Sequence, residues 1–91
     1  MAKRTIFIIV TGRVQGVGFR YFAWYKAQET GVTGWVKNAV SGNVEIEASG
    51  NKTDIEAFID WIKIGPARAV VKTVSVTEIP NDRAFINFSI H

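Results

Sequence analysis

Val10-Thr11-Gly12-Arg13-Val14-Gln15-Gly16-Val17-Gly18-Phe19-Arg20 joins a strand-like run to a helix-like one, and the reading of that junction decides the fold. Upstream, Thr5 to Thr11 reads as a strand with Ile6, Ile8 and Val10 on one face and Phe7 and Ile9 on the other. Apolar residues on both faces place it in the middle of a sheet. Downstream, Phe19, Phe22, Ala23 and Ala27 recur at spacings of three and four, which predicts a helix from Phe19 to about Thr30 with one buried stripe. Tyr21, Trp24 and Tyr25 lie beside that stripe, and Gly31 fits the left-handed residue that closes a helix. Between the two elements stand Gly12, Gly16 and Gly18, which let a backbone approach a ligand closely. Free N–H groups at a helix start favour an anion. Arg20 falls in the first helical turn with a planar fork of donors suited to phosphate or carboxylate. The junction therefore reads as an oxyanion cradle, with phosphate the expected anion.

Outward from the cradle the pattern alternates between strand and helix. Val32 to Ala39 reads as a second strand interrupted by Gly34, and Val40-Ser41-Gly42-Asn43 as a hairpin turn. In the third strand, Val44 to Ser49, Val44, Ile46 and Ala48 face a core, while Glu45, Glu47 and Ser49 are expected on a wet face. Thr53 and Glu56 have the spacing of a capping box for a second helix. Ile55, Phe58, Ile59 and Ile62 form its core stripe, and Gly65-Pro66 stops it. A fourth strand is expected from Val70 to Ile79 with Val74 and Val76 inward. Pro80 to Arg83 reads as a polar turn, and Phe85 to Ile90 as a last strand with Ile86, Phe88 and Ile90 on one face. The order β-α-β-β-α-β plus a terminal strand predicts an α+β fold. It is the ferredoxin-like two-layer sandwich, a mostly antiparallel sheet with two helices on one face.

Composition narrows the function. The chain has 91 residues with 47% hydrophobic content, the size and make-up of one small globular domain spanning 1–91. There is no cysteine, and the single histidine is His91, so thiolate and histidine metal sites and a Ser-His-Asp triad are not expected. No apolar run approaches the ~20 residues of a membrane span, so a cytoplasmic protein with no membrane partner is expected. Net charge is +3, too mild to imply nucleic acid by itself. Its distribution is uneven: Lys3, Arg4, Arg13, Arg20 and Lys26 all precede the first acidic residue, Glu29. The cradle sits in the positive third of the chain.

Two common phosphate loops do not fit. A Walker loop ends Gly-Lys-Ser or Gly-Lys-Thr, whereas this one ends Gly18-Phe19-Arg20. The dinucleotide pattern beginning at Gly16-Val17-Gly18 meets Tyr21 where its last glycine belongs. Instead, Val10-x-Gly12-x-Val14-Gln15-Gly16-Val17-x-Phe19-Arg20 resembles the first signature of the acylphosphatase family. Gly34-Trp35-Val36-Lys37-Asn38, three residues, Gly42-x-Val44, five residues and Gly50 resembles its second. Gly65-Pro66 followed by Ala69 and Val71 is similar to the family's stretch after the second helix. The resemblance covers essentially the whole chain.

The resemblance implies a ferredoxin-like fold with strand order 4-1-3-2-5, and hydrolysis of a small-molecule acyl phosphate to a carboxylate and inorganic phosphate. It implies that the backbone N–H groups of Gln15, Gly16, Val17, Gly18 and Phe19 wrap the phosphoryl oxygens, that Arg20 clamps them, and that Asn38 orients the attacking water. It implies no cofactor and no metal, and inorganic phosphate or another anion would occupy the same cradle. A monomer is expected.

Other readings of single residues stay open at this point. The Gln15 side chain either shapes the loop or touches substrate. Trp35 and Lys37 flank Asn38 and either cover the sheet or border the site. Trp24 and Trp61 read as packing. His91, at the terminal edge, is expected to lie away from the site. An RNA-binding module shares the element order but stacks bases on aromatics of its central strands; Glu45 and Glu47 stand in their place, so no nucleic acid is expected. An anion-sensing module with the same fold is the second alternative, and the presence of both Arg20 and Asn38 speaks against it.

Overall fold

The computed structural model describes residues 3–80 and 85–91. β1 (Lys3–Arg13), β2 (Thr33–Asn38), β3 (Val44–Asn51), β4 (Val70–Glu78) and β5 (Phe88–Ile90) form one sheet in the order β4-β1-β3-β2-β5. All neighbours are antiparallel except β2 and β5, which run parallel. α1 (Phe19–Thr30) and α2 (Lys52–Ile64) pack on one another and on the sheet, giving the ferredoxin-like α+β sandwich. Ile6, Ile8 and Val10 from β1, Val36 from β2 and Val44, Ile46 and Ala48 from β3 meet Phe19, Ala23 and Ala27 of α1 and Ile55, Phe58 and Ile62 of α2 in one buried core. Burial of this apolar surface is the main force holding the layers together. Lys26 of α1 adds a polar tie, its Nζ lying 3.7 Å from the ring centre of Trp61 on α2.

Gly34 lets β2 lie flat against β3. Its φ is 142°, and a Cβ there would collide with the backbone oxygen of Glu47. The close approach fixes the register Asn38↔Val44 at the end of β2, and with it the position of Asn38. At the other side of the sheet the β1–β4 pairing shifts register between Thr11 and Gly12. This irregularity lies where β1 leaves the sheet for the cradle.

Four expectations need correction. α2 begins at Lys52, capped by Asn51, whose Oδ1 accepts from the Asp54 N–H at 2.8 Å; Thr53 already lies inside the helix and is not its cap. Glu47 and Ser49 are buried, not wet. Phe7 and Trp35 flank Glu47 from β1 and β2, their ring centres 6.3 Å apart, and so lean together across β3. Ser49 shares a hydrogen bond with the buried Thr5 hydroxyl at 3.1 Å. Val76 is exposed, because β4 is an edge strand with β1 on only one side. The last strand begins at Phe88 and leaves Ile86 fully exposed, since pairing with β2 starts only at Gly34↔Phe88. Of the expected polar turn, Asn81 to Arg83 lie outside the described residues.

Candidate active site

The segment Val14–Gly18 between β1 and α1 has no regular structure, yet it is tied down at both ends and in the middle. Val14 and Phe19 are buried in the core, and Val17 packs against it. The Gln15 side chain reaches the β2–β3 turn, where its Nε2 donates to the backbone oxygens of Ala39 at 2.7 Å and Asn43 at 2.9 Å. Of the two roles left open for this side chain, shaping the loop is the one the hydrogen bonds describe.

Gly18 stands at the N-cap of α1 in the left-handed conformation, φ 79° and ψ 19°. A residue with a Cβ would be strained there. The Phe22 N–H donates to the Gly18 oxygen at 3.0 Å and starts the helix. No side chain caps α1, and no acidic residue lies in its first turn. The first N–H groups of a helix lack partners within it, so this end of α1 presents open donors together with the positive end of the helix dipole.

This end of α1 borders a cavity of about 200 Å³ lined by Val14, Gly16, Gly18, Phe19, Arg20, Tyr21 and Asn38. The structure thus brings Gly16, Gly18, Phe19 and Arg20 of the loop and helix together with Asn38 from the end of β2, a separate element. Gln15 and Val17 belong to the same loop but do not line the cavity. Among the described residues that line it, none carries a carboxylate. Trp35 and Lys37 do not line it either. They border a second, shallow hollow of about 150 Å³ with His91, and Lys37 pairs there with Glu45 at 3.7 Å.

His91 was expected to lie away from the site, and the structure corrects this. Arg20 Nη1 donates to the His91 main-chain oxygen at 2.8 Å. His91 is itself held by its N–H on the Val36 oxygen at 2.8 Å, by Ser89 Oγ at 3.0 Å from Nε2, and by edge-on contact with the Trp35 ring. One of the five guanidinium N–H donors is thereby committed, and among the described residues the rest of the fork has no hydrogen-bond partner. The contact joins residues 71 apart in sequence, and the only local hint of it is that the terminal strand pairs beside β2.

The architecture is a ferredoxin-like sandwich with an arginine-bearing glycine loop and an asparagine converging at one end of the sheet. The family model described as Acylphosphatase matches residues 6–90. An acylphosphatase of Chlorobaculum tepidum is 40% identical over 90 residues, covering 99% of this chain and 98% of that one. The crystal structure of acylphosphatase from Bacillus subtilis superimposes with a TM-score of 0.94 at 42% identity, covering 97% of this chain and 98% of the other. An acylphosphatase structure from Coxiella burnetii gives 0.93 at 37% identity, with coverage of 98% and 93%. The chain belongs to the acylphosphatase family and is an enzyme of acyl phosphate hydrolysis. Among the described residues no helix is long and apolar enough to cross a membrane.

Proposed function

We propose that the chain hydrolyses acyl phosphates without a metal ion, by holding the phosphoryl group in the loop and placing one water in line with the bond to be broken. The observation that carries this reading is the single cavity shared by Gly16, Gly18, Phe19, Arg20 and Asn38. The loop amides of Gln15 to Phe19, of which Gly16, Gly18 and Phe19 line the cavity, and the free edge of the Arg20 guanidinium are the donors for the phosphoryl oxygens in this reading. Charge on these oxygens is redistributed in the transition state, and a donor fixed there in advance contributes roughly 3–4 kcal/mol. The Asn38 side-chain amide both donates and accepts, so it can orient a water, but it is not a base at neutral pH.

The water oxygen forms a bond to phosphorus as the bond to the acyl oxygen breaks. The electron pair of that bond leaves with the carboxylate, and the water's proton passes to a phosphate oxygen. The parent acid of the leaving group has a pKa of about 4, so it departs without a general acid. A site with no histidine, cysteine or carboxylate among its described lining residues can therefore suffice: positioning and charge stabilisation are what remain to be supplied.

The test is phosphate release from benzoyl phosphate in the presence of a chelator. The wild type is expected to turn over undiminished. Asn38→Ala is expected to lose roughly 10²–10³-fold in kcat while inorganic phosphate still inhibits it at similar concentrations. Dependence on added divalent metal, or an Asn38→Ala protein with normal kcat, would sink the reading.

A further inference from the structure

Phosphate recognition leaves the other half of the substrate unaccounted for, and the cavity mouth offers one candidate. Of the residues with apolar or aromatic side chains that line the cavity, Val14 and Phe19 are buried. Tyr21 is different: it lines the same cavity yet is 66% exposed. Its ring is therefore available to a bound molecule without moving any core residue. It also does not stand alone. Tyr25, one helical turn further along α1 and on the same face, is 60% exposed. Trp24 packs edge-on to Tyr25, with ring centres 5.3 Å apart. An exposed aromatic ridge thus runs from the cavity mouth along the outside of α1.

In-line displacement sets which side the acyl group occupies. The leaving oxygen lies opposite the attacking water. Asn38, which holds the water in the reading above, comes from the sheet layer, whereas Tyr21 comes from the helix layer. The acyl group of a substrate seated on the loop accordingly leaves on the helix side. We infer that Tyr21 forms the acyl-group subsite, where its ring packs against the apolar part of the substrate and favours aromatic over small acyl phosphates. This inference rests on the phosphoryl placement proposed above. Tyr21 acts on substrate choice through its ring face; the phenol oxygen has no part in the chemistry.

The experiment compares benzoyl phosphate with acetyl phosphate in the wild type, Tyr21→Ala and Tyr21→Phe, with kcat and KM measured separately. The ratio of kcat/KM for benzoyl over acetyl phosphate is expected to fall about five- to tenfold in Tyr21→Ala, mostly through KM for benzoyl phosphate. Tyr21→Phe, which keeps the ring, is expected to preserve the ratio. An unchanged ratio in Tyr21→Ala overturns the inference while leaving the phosphoryl placement standing. So does an equal loss in Tyr21→Phe, which would assign the effect to the hydroxyl. A wild type that releases phosphate from neither compound overturns the placement, and this inference with it.

Discussion

The two helices of this molecule begin in opposite ways. α2 starts at Asn51, whose side chain bonds the Asp54 N–H, and Asp54 itself places a carboxylate in the first turn. One of its open donors is thus bonded, and its dipole met by an acid, from within the chain. α1 starts at a left-handed glycine with no side-chain cap and no acid in the first turn, and its second residue is Arg20. Stability alone would favour a cap at both ends, since each contributes on the order of 1 kcal/mol. α1's start is left without a cap or an acid at the place where the anion site is proposed. The cost in local stability is offset by anchors to other parts of the fold. Gln15 holds the loop to the β2–β3 turn, Val14 and Phe19 hold it to the core, and His91 holds Arg20.

Four substitutions break or sharpen this contrast. The largest effect is expected from Arg20→Ala, with a fall in kcat/KM of about 10³-fold or more in a protein that still melts cooperatively. A loss under about tenfold would mean that the open helix start suffices by itself. Gly18→Asp gives α1 the acid that α2 already has. Its carboxylate would occupy the anion's place, and kcat/KM is expected to fall roughly 10²-fold. Weaker inhibition by inorganic phosphate would accompany that fall, and the left-handed backbone adds about 1 kcal/mol of destabilisation. Gln15→Ala removes both bonds to the turn, and a loosened loop is expected to lower kcat/KM about tenfold. Faster hydrogen exchange at the loop amides would register the same loosening. The smallest catalytic effect belongs to Asn51→Ala, far from the cavity. It is expected to leave kcat/KM within about twofold and to lower the melting temperature roughly 4–8 °C through loss of about 1 kcal/mol.

Much of this arrangement can be read along the chain because its determinants are local. The glycine loop, the arginine in the first helical turn and the alternation of β1 and β3 are all patterns within a dozen residues. The features that escape such reading have other causes. Asn51-x-x-Asp54 and Thr53-x-x-Glu56 are overlapping cap patterns in one segment, and local spacing does not choose between them. The choice is made by β3, which continues to Asn51 and delivers it in an extended conformation, φ −73° and ψ 165°. Glu47 alternates like a solvent-facing residue, yet two large rings on neighbouring strands cover it. Its burial depends on sheet order, not on its own sequence surroundings. The contact of Arg20 with His91 is a matter of tertiary closure, since it exists only because β5 docks beside β2. In the site itself Arg20 and Asn38 were legible as candidates, while the elements that orient Arg20 were not.

In the proposed mechanism, the open start of α1 and its loop form an anion site ready before substrate arrives. The most direct measurement is a titration of the ¹⁵N-labelled protein with inorganic phosphate, followed by amide chemical shifts and by the Arg20 side-chain Nε signal. Saturable, concerted shifts of the Gln15 to Phe19 amides and of Arg20 are expected, with the first turn of α2 unmoved. Shifts confined to the hollow around Trp35, Lys37 and His91, or equal shifts at the starts of both helices, would contradict that mechanism.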